Sequence, residues 1–124
     1  MRALVVDDSR AMRAILKKIM TEAGFEVSEA AHGGEALAIL DEGGAADVAL
    51  VDWNLPEMSG LELVEAVRTR TELAPMRVIM VTTEIEREQM AKALAAGADE
   101  YVMKPFTAQA LLDKLALVGL GAAG

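Results

Sequence analysis

Polar side chains stand where four short apolar segments of this sequence end. Asp7 and Asp8 follow the first of these segments, Asp52 follows the second, and Thr82 and Lys104 close the other two. If the segments are parallel strands of one sheet, their carboxyl ends meet at the edge where such sheets bind ligands. The sequence therefore predicts a pocket that contains three carboxylates, a hydroxyl and an ammonium.

Three carboxylates in one pocket require a cation, because two unit charges about 5 Å apart repel by roughly 3 kcal/mol at an effective dielectric near 20. The chain has no cysteine and a single histidine, His32, to which we assign no function. Thiolate and most histidine metal sites are thereby excluded, and oxygen ligands favour Mg²⁺. Mg²⁺ with open positions usually serves phosphate chemistry, in which a carboxylate can be the nucleophile. Position alone leaves open which aspartate attacks.

Strand and helix patterns alternate five times along the chain. Apolar segments rich in β-branched residues precede segments whose apolar residues recur at spacings of three and four. The predicted strands span residues 3–6, 26–30, 48–51, 77–82 and 100–103. The first helix has the apolar stripe Met12, Ile15, Leu16 and Ile19, and the others span 34–40, 60–68, 85–95 and 108–117. Strands one, three and four are almost continuously apolar, which predicts a doubly wound α/β fold with a parallel sheet.

Local signals mark where several of these helices begin and end. Ser59 with Glu62, and Thr83 with Glu86, fit the capping box, in which a hydroxyl and a carboxylate three residues later satisfy the first backbone N–H groups. Glycine frequently follows the last residue of a helix, and the predicted helices are followed in this way by Gly24, Gly43, Gly44 and Gly97.

The composition excludes several classes of protein. The 124 residues are 53% hydrophobic, which suits one compact domain spanning 1–124. A formal net charge of -8 repels a phosphate backbone and argues against direct binding of nucleic acid. No segment approaches the roughly 20 apolar residues of a membrane span, and no secretory signal follows Met1. We therefore expect a cytoplasmic protein without a membrane span.

Four segments, in order, resemble the receiver domains of two-component response regulators, with the greatest likeness to chemotaxis members of that family. They are residues 4–8 (Leu-Val-Val-Asp-Asp), 51–60 (Val-Asp-Trp-Asn-Leu-Pro-Glu-Met-Ser-Gly), 81–84 (Val-Thr-Thr-Glu) and 101–107 (Tyr-Val-Met-Lys-Pro-Phe-Thr). The resemblance covers essentially the whole chain. It implies a flavodoxin-like, five-stranded parallel sheet in the order 2-1-3-4-5 with five helices.

The resemblance also assigns the acidic residues. It implies that Asp52 is the phosphoacceptor, which takes a phosphoryl group from a histidine kinase. Asp7 and Asp8 resemble the acidic pair that holds Mg²⁺, with Asp52 and the main-chain carbonyl of Asn54 as the other protein ligands. The peptide bond before Pro105 resembles one that is cis in the family.

The same resemblance implies a switch. Thr82 and Lys104 match the residues that contact the phosphoryl oxygens, and Thr82 is expected to move towards the phosphate while Tyr101 turns inward. This movement would remodel the face of helix four, strand five and helix five, which a downstream target such as a flagellar motor or motility component would read. Asn54 and Glu84 match the pair that affects the dephosphorylation rate, which predicts fairly rapid self-dephosphorylation.

Two groups of side chains have a structural and a functional interpretation. Arg10, Arg13 and Lys17 share the polar side of the first helix, where they either form a solvated face or help to dock the phosphodonor. Tyr101 either packs in the ordinary way or acts in the switch.

Other functions compete with a receiver. Aspartyl-phosphate hydrolases of the haloacid dehalogenase type need a second aspartate two residues after the nucleophile, where this chain has Asn54. A flavodoxin-like cofactor carrier is disfavoured because Asp7 and Asp8 stand where a loop rich in hydroxyls and glycine would be expected, and their charge would repel a phosphate unless a metal intervened. A phosphorelay intermediate and a receiver fragment of a larger regulator remain open. The start at Met1 and the end soon after the fifth helix favour a free-standing protein.

Overall fold

The computed structural model describes residues 1–83 and 88–121. Its strands form one parallel sheet in the order β2-β1-β3-β4-β5. The strands are β1 (Arg2–Val6), β2 (Glu26–Ala30), β3 (Val48–Asp52), β4 (Arg77–Thr83) and β5 (Glu100–Lys104). The predicted strand order is therefore confirmed, and β1 lies between the edge strand β2 and the central strand β3.

Among the described residues, Glu88 and Gln89 are in 3₁₀ conformation just before the fourth helix. Five α-helices and a further short 3₁₀ segment of the described chain lie between or after the strands. They are α1 (Arg10–Glu22), α2 (Gly33–Gly43), α3 (Gly60–Arg68), the 3₁₀ segment (Thr71–Leu73), α4 (Met90–Ala96) and α5 (Ala108–Leu117). None of these helices is long and apolar enough to cross a bilayer.

Alternate strand residues divide the core into two layers because successive side chains of a strand point to opposite faces. Val5, Leu50 and Ile79 pack on the face that holds α1 and α5. Val6 and Val51 pack on the opposite face with α2, α3 and α4. Coverage on both faces explains why the central strands read as continuous apolar segments.

The α-helix of α4 begins at Met90, and its N-cap residue Gln89 makes no side-chain capping bond. The helix was predicted from residue 85, a start that lies outside the described residues. Thr83 is the last residue of β4. Its predicted capping partner Glu86 lies outside the described residues.

The capping box at α3 is confirmed. The Ser59 hydroxyl accepts from the Glu62 N–H at 3.1 Å, and the Glu62 carboxylate accepts from the Ser59 N–H at 3.1 Å. At α2 the positive φ falls on Gly44, and Gly43 is still helical. His32, left without a function by the sequence, is the N-cap of α2, where its Nδ1 accepts from the Glu35 N–H at 3.1 Å.

Candidate functional site

The register of the sheet brings the predicted site residues to one edge. Val6 of β1 pairs with Val51 of β3, so Asp7 and Asp52 follow neighbouring positions of adjacent strands. Asp52 itself pairs with Val81 of β4, one residue before Thr82. The carboxyl ends of three adjacent strands thus meet where the pocket was predicted.

Asp7, Asp8 and Asp52 form an acidic cluster in which one carboxylate oxygen from each residue lies within 4.8 Å of the others. Asp7 is 0% exposed and Asp52 is 6% exposed, whereas Asp8 is exposed. Asp7 Oδ1 accepts from the Ser9 N–H at 2.8 Å. Among residues 1–83 and 88–121, Asp7 Oδ2 is the buried side-chain oxygen without a hydrogen-bond partner.

These features fit a hard divalent cation. The cluster offers oxygen ligands alone, one of its buried oxygens lacks a hydrogen-bond donor, and its exposed member leaves a side open to water. Mg²⁺ characteristically takes one or two carboxylates and keeps several waters. The residues present are therefore suited to Mg²⁺.

Lys104 brings a positive charge into the same pocket. Its Nζ lies 3.3 Å from Asp52 Oδ1 and 3.6 Å from Asp7 Oδ2, and its side chain is 23% exposed. Lys104 is the last residue of β5, and its peptide bond to Pro105 is cis, as the resemblance implied. One ammonium therefore serves two buried carboxylates, which leaves the pocket negatively charged.

The pKa of Asp52 is raised from 3.8 to about 6. Burial is the main cause because it penalises the charged form, and the nearby Asp7 charge acts in the same direction. Lys104 and the Asn54 N–H, which donates to Asp52 Oδ1 at 3.4 Å, oppose the shift without cancelling it. Asp52 is consequently a carboxylate in an environment that favours neutralisation, by a proton, a metal or a covalent bond.

The start of α3 lies close against the backbone at the end of β3. The Gly60 N–H donates to the Trp53 carbonyl at 3.0 Å. A methyl group on Gly60 would overlap the Asp52 carbonyl oxygen and lie 3.0 Å from Trp53 Cα. Glycine is therefore required here by the contact between the helix start and the backbone of β3.

The remaining predicted site residues differ in position and exposure. Thr82 is fully buried near the end of β4, and its hydroxyl donates to the Thr83 carbonyl at 3.3 Å. Asn54 is exposed in the loop after β3. Tyr101, on β5, is half-buried against the core, and Lys114 Nζ lies 4.9 Å from its ring centre. Glu84 lies outside the described residues.

The predicted basic stripe of α1 is not uniform. Arg10 and Lys17 are exposed, whereas the Arg13 side chain is 17% exposed and its Nη1 donates to the Asp7 carbonyl at 2.6 Å. Sequence periodicity placed Arg13 with its solvated neighbours and missed this inward contact.

The fold and the site define a class of protein. Residues 3–116 match the family model of the response regulator receiver domain, and the chain belongs to that family. It is a phosphorylation-activated signalling switch of two-component systems rather than a classical enzyme.

Chemotaxis proteins are among its relatives. The chain is 45% identical to chemotaxis protein CheY1 of Helicobacter pylori over 119 residues, which are 95% of this chain and 96% of that protein. It is 47% identical over 116 residues to a chemotaxis protein CheY homolog of Campylobacter jejuni, covering 93% of this chain and 89% of that one. The structure of chemotaxis protein CheY4 of Vibrio cholerae aligns with a TM-score of 0.87 at 38% identity, covering 94% of this chain and 97% of that chain.

Proposed function

We propose that residues 1–124 act as a single receiver domain that takes a phosphoryl group on Asp52 from a histidine kinase and controls a partner in chemotaxis or motility. The observation that carries the proposal is the position of Asp52, which is buried within the acidic cluster and lies 3.3 Å from the Lys104 ammonium. The chemotaxis proteins among its relatives support the process in which it acts.

The proposed transfer moves one phosphoryl group. A carboxylate oxygen of Asp52 forms a bond to phosphorus while the bond from phosphorus to the donor histidine nitrogen breaks, and its electron pair stays on that nitrogen. The products are an acyl phosphate on Asp52 and a histidine without its phosphoryl group. With a pKa of about 6, Asp52 is mostly ionised at neutral pH and therefore nucleophilic.

Three groups support this reaction. Asp7, Asp8 and Asp52, with the main-chain carbonyl of Asn54, would hold Mg²⁺, which when bound neutralises negative charge on the carboxylates and the phosphoryl group. Lys104, 3.3 Å from Asp52, would donate to phosphoryl oxygens. The Thr82 hydroxyl, buried near the end of β4, would supply a second donor.

The output is proposed to pass through Thr82 and Tyr101. Movement of Thr82 towards the phosphate would free space for the Tyr101 ring, which already packs partly against the core. The face formed by α4, β5 and α5 would change shape, and a motility component such as the flagellar motor would read it. The half-buried state of Tyr101 supports this role because such a ring can move either way at small cost.

The lifetime of the signal is proposed to depend on Asn54 and Glu84, through fairly rapid self-dephosphorylation. Asn54 is exposed two residues after Asp52, at the position that the resemblance associates with the dephosphorylation rate. An acyl phosphate that survives for many hours would contradict the proposed rapid self-dephosphorylation.

The test uses the single tryptophan, Trp53, which adjoins Asp52. Mg²⁺ is added first and acetyl phosphate second, while Trp53 fluorescence and intact mass are recorded. We expect a Mg²⁺-dependent fluorescence change and then a labile adduct of one phosphoryl group.

Asp52→Asn should abolish the adduct, and the exposed helix residue Asp113 supplies a matched control, since Asp113→Asn should leave it unchanged. An adduct that persists in Asp52→Asn would overturn the assignment of the phosphoacceptor. Metal binding without any adduct in the native protein would count against phosphoryl transfer from a small donor. Continuous turnover of acetyl phosphate at the rate of an enzyme would indicate a hydrolase instead.

A further inference from the structure

The Arg13 side chain turns back from α1 to the end of β1. Its Nη1 donates to the Asp7 main-chain carbonyl at 2.6 Å, a short, charge-assisted hydrogen bond. The side chain is 17% exposed, so it is mostly withdrawn from solvent. The contact lies directly behind the acidic cluster.

A second contact holds Arg13 in this orientation. Its Nε lies 3.6 Å from Glu29 Oε1, and Glu29 belongs to β2, opposite Val5 of β1. Lys17 Nζ lies 3.4 Å from the other Glu29 oxygen. Glu29 therefore forms ion pairs with two cations of α1. Of these two, Arg13 also donates to the Asp7 carbonyl.

Hydrogen bonds restrain Asp7 on three sides. Its N–H donates to the Ala30 carbonyl at 3.1 Å, its Oδ1 accepts from the Ser9 N–H at 2.8 Å, and its carbonyl accepts from Arg13. The Oδ2 atom, which has no hydrogen-bond partner among the described residues, is the remaining polar atom of Asp7. Of the polar atoms of Asp7, Oδ2 is therefore the one available to a ligand in the acidic cluster.

The bond from Arg13 also affects Asp8. The Asp7 carbonyl and the Asp8 N–H belong to one planar peptide unit, so fixing the carbonyl fixes the direction in which the chain enters Asp8. Asp8 is exposed, and its side chain therefore has less packing to hold it than the buried Asp7 and Asp52. An anchor on this peptide is a means of orienting the exposed member of the cluster.

We propose that Arg13 is a positioning residue for the cation site, which it serves by fixing the peptide unit between Asp7 and Asp8. The inference deepens the proposed function and rests on it. Arg13 touches neither the cation nor the phosphoryl group and acts through Asp7 and Asp8. Residues that orient metal ligands in this way typically change metal affinity by 10- to 100-fold when they are replaced.

The experiment compares Arg13→Gln with Lys17→Gln. Both variants remove a cation of α1 that is paired with Glu29, but Lys17 makes no contact with the Asp7 carbonyl among those described. Mg²⁺ affinity is measured by Trp53 fluorescence, unfolding free energy is measured in EDTA, and the Asp8 amide resonance is followed by NMR without metal. Arg13→Lys is included because an ammonium can still donate to the carbonyl.

We expect Arg13→Gln to weaken Mg²⁺ binding about tenfold and to move the Asp8 amide resonance, while Lys17→Gln changes neither. Arg13→Lys should recover part of the affinity. Arg13→Gln with native Mg²⁺ affinity, or an equal loss in Lys17→Gln, would overturn the positioning role. If Arg13→Gln is too unstable to study, Arg13→Met, which keeps a long side chain without a donor, replaces it. Native Mg²⁺ affinity in Arg13→Met would likewise overturn the positioning role.

The two proposals fail in different ways. A native protein that binds no Mg²⁺ refutes the proposed function, and the role of Arg13 falls with it. A native protein that binds Mg²⁺ and is phosphorylated on Asp52, with Arg13 variants that behave like Lys17→Gln, refutes the role of Arg13 alone.

Discussion

Lys104 Nζ lies 3.3 Å from Asp52 Oδ1, yet the pKa of Asp52 is raised to about 6. The ammonium is shared with Asp7, whose Oδ2 lies 3.6 Å from the same nitrogen. Burial and the second carboxylate therefore outweigh the single positive charge. A proton, a metal ion or a covalent bond that neutralises Asp52 should therefore stabilise the folded protein.

The first prediction concerns pH in the absence of metal. Because the pKa of Asp52 in the folded protein, about 6, exceeds the ordinary value of 3.8, the folded state binds the proton more tightly than the unfolded chain. Protonated Asp52 therefore contributes to the unfolding free energy at low pH. This contribution falls as pH rises from about 3.8 to about 6, and it is lost completely above that range. Asp52→Asn removes it.

The measurement is the unfolding free energy of both proteins in EDTA as a function of pH. The advantage of Asp52→Asn over the native protein should grow by about 2 to 3 kcal/mol between pH 4 and pH 7.5. Asp113→Asn, altered on the exposed surface of α5, is measured alongside as a control for the loss of one carboxylate. A difference between Asp52→Asn and the native protein that stays constant with pH would contradict the raised pKa.

The second prediction concerns Mg²⁺ and Asp8. A ligand that binds only the folded protein raises the unfolding free energy, by about 1.4 kcal/mol at ten times its Kd. Asp8 is exposed, so Asp8→Asn should change stability in EDTA by less than about 0.5 kcal/mol while greatly reducing the gain from Mg²⁺. Denaturant titrations with and without Mg²⁺ measure both quantities. If Mg²⁺ stabilised Asp8→Asn and the native protein equally, Asp8 would not be a ligand of the cation.

The third prediction concerns the contact between α3 and β3. Gly60→Ala places a methyl group against the Asp52 carbonyl oxygen and 3.0 Å from Trp53 Cα. We expect a loss of about 2 kcal/mol in unfolding free energy, since backbone atoms must move, and slower phosphorylation of Asp52 by acetyl phosphate.

Gly34→Ala is the matched control because the nearest atoms there, in the His32 ring, are at 3.4 Å or more. It should leave stability unchanged or raise it by up to about 1 kcal/mol, as alanine does in helices. The prediction fails if the two variants have the same stability.

The fourth prediction concerns Tyr101. The Lys114 ammonium, 4.9 Å from the ring centre, is paired with Glu100 at 3.2 Å. A cation over a ring at a partly exposed site contributes about 0.5–1 kcal/mol, so Lys114→Met should change the population of ring orientations about two- to fivefold. Glu100→Gln removes the ion pair but leaves the ammonium, and its effect should be smaller.

Tyr101 is the single tyrosine, so fluorotyrosine gives one ¹⁹F resonance for it. In Lys114→Met without phosphate, this resonance should move part of the way towards its position in the phosphorylated protein. An unmoved resonance would show that Lys114 does not hold the ring.

Much of the fold was determined by the sequence alone. Strands and helices follow from the spacing of apolar residues, because each element must bury one face or both, and this spacing is local information. The strand ends follow as well, so Asp7, Asp52 and Thr82 were predicted to meet before their distances were known. The predicted start of α4 at residue 85 lies outside the described residues, and the described α-helix begins at Met90.

The tertiary structure alone decided how the site residues share their charges. Lys104 is 52 residues from Asp52 along the chain, and their 3.3 Å contact depends on the register of the three strands β3, β4 and β5 and on one side-chain orientation. Arg13 has an ordinary surface position in the sequence, and its bond to the Asp7 carbonyl depends on how the chain turns from the end of β1 into α1. Burial raised the pKa of Asp52, and burial belongs to the assembled core rather than to any local pattern, since it depends on which distant residues exclude water.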